Sequence, residues 1–207
     1  TSEVATGLAI AIQQSQLKDE LSRSNQAITS SIDYAKMIQQ AYIPDDLSIY
    51  PALKEHMVIN RPKDIVSGDF YWVATPQQYD ETGKPVSMHK VMIAAVDCTG
   101  HGVPGAFMSM IGHSLLDEIV NVRGTTKPNQ VLEDLHEGVR HALRQNDSHN
   151  RDGMDMALVV LCKKNKVIEF AGAKNPLVYI QEGQVHEIKG SKFGIGGRER
   201  GTERVYT

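Results

Sequence analysis

The sequence predicts an α+β domain with a mostly antiparallel sheet, preceded by one long helix. Short apolar segments separated by turn residues predict strands joined by hairpins. Two central segments have the three-and-four spacing of helices. Residues 3–42 contain no proline and only one glycine, which predicts a continuous helix. Hairpin strands combined with adjacent helices are typical of α+β layering.

The N-terminal helix is predicted from about Glu3 to Tyr42, and Pro44 ends it. About 40 residues of helix measure about 60 Å, which is longer than a domain of this size. Two interpretations remain open: the helix packs on its own domain, or it is a loose signalling or dimerisation coiled coil. We assign residues 1–44 to a helical linker with a candidate homodimer contact through residues 3–42. The candidate seam is Leu17, Leu21, Ile28, Ala35, Ile38 and Tyr42, with Ser24 and Ser31 as weak positions.

Residues 45–207 are predicted to form one domain, and its first half is a series of strands and loops. The two strands that flank a polar loop form a hairpin-like pair, which brings Asp69 and Asp97 towards one end. The predicted elements are a connector ending in a strand at His56–Asn60, a strand at Phe70–Thr75, a polar loop at Pro76–Ser87 that includes Asp80, and a strand at Met88–Val96.

The second half begins with two helices, one from Ala106 to about Val122 and one at Pro128–Gln145. The second helix has one apolar face, as expected for a helix laid on a sheet. We interpret His136 and His141 on this helix as surface or half-buried residues, with metal binding as the alternative. The strands that follow are predicted at Met156–Cys162, Val167–Ala171, Leu177–Gln181 and Gln184–Ile188, before a glycine-rich end from Gly190.

Composition excludes several classes of protein. The 207 residues suffice for one core of ordinary size, and a net charge of −3 gives no reason to expect a nucleic-acid partner. Two cysteines are too few for a disulfide framework. No apolar run approaches the ~20 residues that span a bilayer, so this segment is not expected to insert into a membrane. The N-terminus lacks the pattern of a signal peptide. We therefore expect a cytoplasmic protein.

Residues 92–112 contain the first candidate site. An apolar strand ends at Asp97, and the turn-rich segment CTGHGVPG follows it. A carboxylate at the end of a buried strand is costly unless its charge is compensated. Hard cations such as Mg²⁺ or Mn²⁺ prefer carboxylate and carbonyl oxygens, so they are one compensation. The alternative is an aspartate that only caps the following turn.

A second segment, residues 61–72, favours the metal interpretation. It reads RPKDIVSGDFYW and places Asp69 directly before an aromatic strand. Together with VDCTGHGVPGAFMSMIG, this segment closely resembles the SpoIIE-like branch of the metal-dependent protein phosphatases, the PPM or type 2C family. The segments DGMDMALVVL and EFAGAKNPLVYI also resemble this branch.

This resemblance implies a fold, an activity and a set of partners. The fold is an antiparallel β-sandwich flanked by helices, and the reaction is hydrolysis of phosphoserine or phosphothreonine by a metal-activated water. Asp69 would bind one ion, Asp97 would bridge two, and the Cys98 backbone carbonyl would be a further ligand to Mn²⁺ or Mg²⁺. The implied partners are a phosphorylated regulatory protein, such as an anti-sigma-factor antagonist, and an upstream sensor domain.

One departure from the family pattern concerns the C-terminus. Members of the branch carry a later Gly-Asp, strand and Asp-Gly motif that supplies a further metal-binding aspartate, and nothing like it follows Ile195. We therefore expect residues 45–207 to be a phosphatase domain lacking its C-terminal end, with weak metal binding and little or no turnover. Asp152 and Asp155 are alternative ligands, although the family does not usually place ligands there.

Two other functions remain open. A pseudophosphatase or signalling module would keep the fold for protein binding and dimerisation. A di-metal hydrolase of small phosphate esters would show little preference for a phosphoprotein. Asp69 and Asp97 are both present, and they would be early losses in a decayed site, which favours the phosphatase.

Overall fold

A computed structural model of the protein describes residues 2–44, 49, 51–79, 82, 85–86, 90–197 and 204–206. Its helices are α1 (Ser2–Gln40), α2 (Gly102–Asp117), which continues into a π-helical turn (Glu118–Val122), and α3 (Pro128–Ala142). Its strands are β1 (Phe70–Ala74), β2 (Gln78–Tyr79), β3 (Pro85–Val86), β4 (Lys90–Cys98), β5 (Gly153–Cys162), β6 (Val167–Ala173), β7 (Leu177–Gln181), β8 (Gln184–Ile188) and β9 (Ile195–Gly196). The predicted α+β fold, with antiparallel strands and a long N-terminal helix, is confirmed.

The central element is a five-stranded antiparallel sheet. Its strand order is β1-β4-β5-β6, and β9 pairs with the first two residues of β5. β4 lies between β1 and β5, and both of its edges are hydrogen-bonded. Its mostly apolar sequence suits this central position. Two separate hairpins, β2–β3 and β7–β8, lie outside this sheet.

Helices α2 and α3 cover one face of the sheet and form the core with it. Alternate residues of each strand point to this face, as the period of two in a strand requires. Trp72 is almost fully buried there, and its indole N–H donates a hydrogen bond to Asp117 of α2. The largest buried side chains of this core include Met92, Leu116, Ile119, Leu132, Leu135, Met156 and Leu158.

The opposite face of the sheet is less covered and contains the candidate site. Asp69, Tyr71 and Val73 point to this face from the β1 segment, and Ile93, Ala95 and Asp97 point to it from β4. A cleft of about 640 Å³ separates these side chains from residues 53–61. The two aspartates therefore lie at the end of an accessible groove.

Two predictions for the first half of the domain are wrong. His56–Asn60 forms no strand, and Met57 is 81% exposed, because no neighbouring strand in the described part of the chain pairs with it. The predicted polar loop at 76–87 contains the short hairpin β2–β3. Asp80 lies outside the described residues, as do residues 87–89 at the predicted start of the next strand.

The prediction for His136 is also wrong, whereas His141 is exposed as expected. His136 is buried, and its Nδ1 accepts a hydrogen bond from the Gly196 N–H at 3.0 Å. The ring lies beside Tyr206, with centroids 6.3 Å apart. Helical spacing alone could not reveal this burial, because β9 and the segment around Tyr206 create it.

Among the described side chains, those near the C-terminal end of α1 and directly after it pack on the domain. Tyr42 makes an edge-on contact with His113 of α2, and Tyr71 donates a hydrogen bond to the Pro44 carbonyl at 2.7 Å. Further towards the N-terminus, the candidate seam residues Leu17, Leu21 and Ile28 are exposed. In the described residues, no helix is both long and apolar enough to cross a membrane.

Candidate functional site

The pairing of β1 with β4 brings Asp69 and Asp97 together. Phe70 is the first paired residue of β1 and lies opposite Val96. Asp69 directly precedes this pair on one strand, and Asp97 directly follows it on the other, so the two aspartates are neighbours on the same face. Their carboxyl groups are close enough to hydrogen-bond to each other.

This pairing brings two acidic groups into direct contact. The loss of surrounding water, the charge of Asp97 and the hydrogen bond that protonated Asp69 donates to Asp97 all raise the pKa of Asp69. A hydrogen bond with the Cys98 backbone acts in the opposite direction and lowers this pKa. Two adjacent carboxyl groups can share one proton, or they can both ionise around a cation.

Cys98 is placed for a backbone role, because its side chain is buried in the core. Burial, followed by the charges of Asp69 and Asp97, raises the pKa of the Cys98 thiol far above its usual range. A thiol that stays protonated is neither a nucleophile nor a metal ligand. The predicted ligand at this position is the carbonyl oxygen, and the buried side chain is compatible with that prediction.

Three glycines pack the backbone around the two aspartates. A Cβ atom on Gly105 would lie 2.7 Å from the Gly100 carbonyl oxygen and 3.0 Å from the Gly68 Cα. A Cβ atom on Gly68 would lie 2.8 Å from the same oxygen. The segment before Asp69 and the loop after Asp97 therefore touch through bare backbone, which explains the glycines in the two sequence motifs.

Two further contacts fix the loop that follows Asp97. The N–H of Thr99 donates to the Gly153 carbonyl at 2.9 Å, and the Thr99 hydroxyl accepts from the Gly153 N–H at 2.9 Å. His101 Nδ1 lies 2.7 Å from an Asp64 carboxylate oxygen, which connects the loop to the segment before β1. Two other parts of the chain thus hold this loop.

The alternative ligands Asp152 and Asp155 are engaged elsewhere. Asp155 lies opposite Asp97 in the β4–β5 register, but its two carboxylate oxygens lie 2.9 and 3.0 Å from Lys174 Nζ. Asp152 accepts hydrogen bonds from Asn150 at 2.7 Å and from Thr99 at 3.3 Å. Within the described ranges, no group of three or more His, Cys, Asp or Glu residues is arranged to hold a metal ion.

The residues present fit a hard divalent cation in two respects. Asp69 and Asp97 supply adjacent oxygen donors, which Mg²⁺ and Mn²⁺ prefer. The raised pKa of Asp69 indicates negative charge that a cation would relieve. The two carboxylates and one backbone carbonyl would form only a partial ligand set.

A second cleft, of about 520 Å³, lies on the β5 side of this site and is rich in basic residues. Asp155 and Lys174 form one wall, and Arg151 and Lys192 line it as well. Sequence reasoning missed Lys174, although it lies in the GAKNP turn that resembles the phosphatase branch. No signal in the sequence marked it, because its φ of 63° in a tight turn is visible only in the structure.

Fold and site together define the class. The helix-covered antiparallel sheet, with paired aspartates at one edge, is the fold of a PP2C-type phosphatase domain. The family model described as "Stage II sporulation protein E (SpoIIE)" matches residues 87–202. This match covers more than half of the chain, and the chain belongs to the SpoIIE family.

Two solved structures have a similar fold. The SiaA-PP2C domain of Pseudomonas aeruginosa is 30% identical, with a TM-score of 0.69 over 89% of this chain and 66% of that chain. The PP2C phosphatase domain of SpoIIE from Bacillus subtilis, solved with a fragment of its regulatory domain, is 18% identical, with a TM-score of 0.51 over 69% of this chain and 36% of that chain. The chain thus spans less than two thirds of the length of either structure. No curated protein matches the chain significantly.

Proposed function

We propose that this protein is a metal-dependent phosphoserine/phosphothreonine protein phosphatase and the output domain of a bacterial-type signalling protein. The observation that carries the proposal is the contact between the Asp69 and Asp97 carboxyl groups across β1 and β4. Family membership supports a phosphatase-type function in general. The paired carboxylates support its dependence on metal.

In this proposal the chain holds Mn²⁺ or Mg²⁺ through Asp69, Asp97 and the Cys98 carbonyl. When bound, the ions neutralise phosphate charge and lower the pKa of a water molecule. The backbone contacts among Gly68, Gly100 and Gly105 keep the two carboxylates in register. These glycines position the carboxylates, and positioning is a main contribution of the protein to phosphoryl transfer.

Cysteine-based phosphatase chemistry is a poor alternative for this chain. It requires a thiolate at neutral pH, which a lowered thiol pKa provides. Burial raises the pKa of Cys98, and burial followed by the charge of Glu169 raises the pKa of Cys162. Both thiols are free and buried, which also favours a cytoplasmic location, where thiols stay reduced.

The proposed substrate is a phosphorylated regulatory protein, such as an anti-sigma-factor antagonist, and an upstream sensor would control the reaction. The second cleft supports an anionic protein substrate, because Arg151, Lys174 and Lys192 line it. It lies beside β5, the strand that pairs with the Asp97 strand β4. A phosphoserine segment carries the complementary charge. A small phosphate ester would make less use of this second cleft.

A pseudophosphatase used for protein binding is the second candidate. It is favoured by one observation: in the part of the chain that the structure describes, the aspartate pair has no third ligand side chain. In that case the fold would serve recognition, and the aspartates would not need to bind a cation.

The test measures Mn²⁺ binding and Mn²⁺-dependent hydrolysis of a phosphoserine protein. It compares the wild type, Asp97→Asn and the exposed control Asp147→Asn. Because the chain spans 66% of the SiaA structure, the longest natural form of the protein is assayed in parallel. We expect the wild type to bind Mn²⁺ weakly in calorimetry, Asp147→Asn to match it, and Asp97→Asn to bind no Mn²⁺. Hydrolysis is expected mainly from the longest form, and Asp97→Asn in that form should abolish it.

Stability gives a second, independent outcome. Without metal, Asp97→Asn removes a repulsive neighbour of Asp69, so we expect its Tm to rise by about 2 °C at pH 7. With Mn²⁺ present, only the wild type and Asp147→Asn should gain Tm. Folded protein in every form that neither binds Mn²⁺ nor hydrolyses the substrate would contradict the phosphatase proposal and favour the binding module.

A further inference from the structure

Gln39 is a buried polar residue near the end of an otherwise exposed helix. Its side chain is only 6% exposed, whereas Gln40 beside it is exposed. A buried side-chain amide is costly unless its donors and acceptor are satisfied. The partners of Gln39 therefore show what the end of α1 is attached to.

The Gln39 amide holds both backbone groups of one residue, Ser67. Its Oε1 accepts the Ser67 N–H at 3.0 Å, and its Nε2 donates to the Ser67 carbonyl at 2.5 Å. This arrangement reproduces what an opposing residue does in an antiparallel pair. The side chain thus extends the hydrogen bonding of the sheet beyond the first paired residue of β1, Phe70.

Ser67 passes this constraint directly to Asp69. The Ser67 hydroxyl accepts a hydrogen bond from the Asp69 N–H at 3.0 Å. Gly68, between them, is packed against the backbone of Gly100 and Gly105 and leaves no room for a side chain. The backbone of Asp69 is therefore held on one side by α1 and on the other by the loop after Asp97.

The same amide also reaches the helix that follows Asp97. Gln39 Nε2 donates to the Ser109 hydroxyl at 2.8 Å, and this hydroxyl donates to the Ala106 carbonyl in the first turns of α2. Gln39 is thereby bonded to the segment that precedes Asp69 and to the helix that follows Asp97. It lies 28 residues before one partner and 70 before the other.

We propose that Gln39 is a positioning residue for the acidic pair, acting through Ser67, and that the end of α1 is a working part of the site. The proposal rests on the proposed function for its metal-binding consequence. It moves the functional N-terminal limit of the domain to before Gln39, whereas the sequence placed the limit at residue 45. Removing a residue that orients metal ligands typically lowers metal affinity about 10- to 100-fold.

The experiment uses the full chain with Gln39→Ala, Ser67→Ala and the double variant, and Gln40→Ala as the matched control on the same turn. Amide hydrogen exchange is measured without metal, and Mn²⁺ affinity is measured by calorimetry well below each Tm. We expect Gln39→Ala and Ser67→Ala to speed exchange at Asp69 while the β5 and β6 amides stay protected. Each variant should weaken Mn²⁺ binding about 10-fold, and Gln40→Ala should change neither quantity.

The double variant distinguishes one shared path from two separate effects. If Gln39 acts through Ser67, the second substitution should add little to the loss of Mn²⁺ affinity from the first. Additive losses, or wild-type exchange at Asp69 in Gln39→Ala, would overturn the proposal. Uniformly faster exchange over the whole sheet would also overturn it, because that result describes a general loss of stability.

The exchange measurement separates this proposal from the proposed function. If the wild type binds no Mn²⁺, the phosphatase proposal fails. Local loss of protection at Asp69 in Gln39→Ala would then still establish the structural link, and its absence would reject that link too. If Gln39→Ala does not fold, Ser67→Ala still tests the proposal. It removes only the hydroxyl that accepts the Asp69 N–H.

Discussion

At the scale of single residues, the environment of His136 has a measurable consequence for stability. Burial, followed by the charges of Arg204 and Arg140, lowers the pKa of His136 to about 4. The neutral ring accepts the Gly196 N–H through Nδ1, and among the described residues its buried Nε2 has no hydrogen-bond partner. The folded protein therefore requires a neutral imidazole at this position.

We predict acid sensitivity that begins well above the pKa of the folded state. An unfolded histidine takes up a proton near pH 6.5, whereas His136 in the folded protein does so near pH 4. The stabilising contribution is therefore complete above about pH 6.5 and is lost progressively as the pH falls to about 4. This loss amounts to about 3 kcal/mol in the free energy of unfolding.

Urea unfolding between pH 7.5 and 4 would test this prediction. His136→Gln keeps a polar side chain that does not titrate, so the decline with pH should be shallower than in the wild type. The exposed His141 provides the control, because His141→Gln should follow the wild-type curve. Parallel curves for all three proteins would contradict the prediction.

At the scale of elements, the contact between the two aspartate-bearing segments depends on missing side chains. We predict that Gly105→Ala destabilises the fold by about 1–3 kcal/mol, because its Cβ would lie 2.7 Å from the Gly100 carbonyl oxygen. Mn²⁺ binding at the site should weaken as well, since the clash separates the segment before Asp69 from the loop after Asp97.

Thermal unfolding with and without Mn²⁺ would measure both effects. Gly7→Ala is the matched control, because nothing lies within 4 Å of that Cβ position in α1. The control should keep or slightly raise the wild-type Tm, since alanine favours a helix more than glycine does. A wild-type Tm and Mn²⁺ response for Gly105→Ala would show that the two segments can separate without cost.

Elements with a complete local signal could be predicted from the sequence. The bounds of β7 and β8 were predicted correctly, because the Glu182-Gly183 turn between them has positive φ at both residues, a geometry that short hairpins require. The pairing of Asp69 with Asp97 also followed from one hairpin-like register. The first feature depends on one turn, and the second depends on a register that the alternating pattern of the two strands indicates.

Features that depend on distant segments could not be predicted. The apolar run around Met57 has strand composition, but a strand also needs a neighbour, and the described residues provide none. Gln39 has no periodicity that distinguishes it from Gln40, since its burial depends on Ser67 and Ser109. Lys174 is recognisable only once β5 places Asp155 beside it.

At the scale of the whole molecule, α1 presents apolar side chains that its own domain does not cover. Leu17, Leu21 and Ile28 are 57%, 62% and 56% exposed. They share the spacing of a loose coiled-coil seam, and a second copy of α1 would provide a matching surface. The end of α1 packs on the domain, as one alternative from the sequence expected, and the coiled coil stays a prediction.

We predict that the protein forms a homodimer through α1 and that Leu21→Glu weakens it. A charge at the centre of the seam must be desolvated on pairing, so the dimer dissociation constant should rise at least 10-fold. Sedimentation equilibrium would measure the constant, with Ser22→Glu as the control beside the seam. A wild type that stays monomeric at high concentration would contradict this prediction and favour the alternative in which α1 packs only on its own domain.

The hydrogen bonds between Gln39 and Ser67 also affect how the molecule avoids self-association. β1 is the outermost strand on its side of the sheet, and an outermost strand with free N–H and carbonyl groups is a template for aggregation. By occupying both groups of Ser67, the Gln39 amide shortens the length of backbone on which a foreign strand could add. Any displacement of the end of α1 would lengthen that edge, so the residue that aligns the aspartates also protects the sheet from unwanted strand addition.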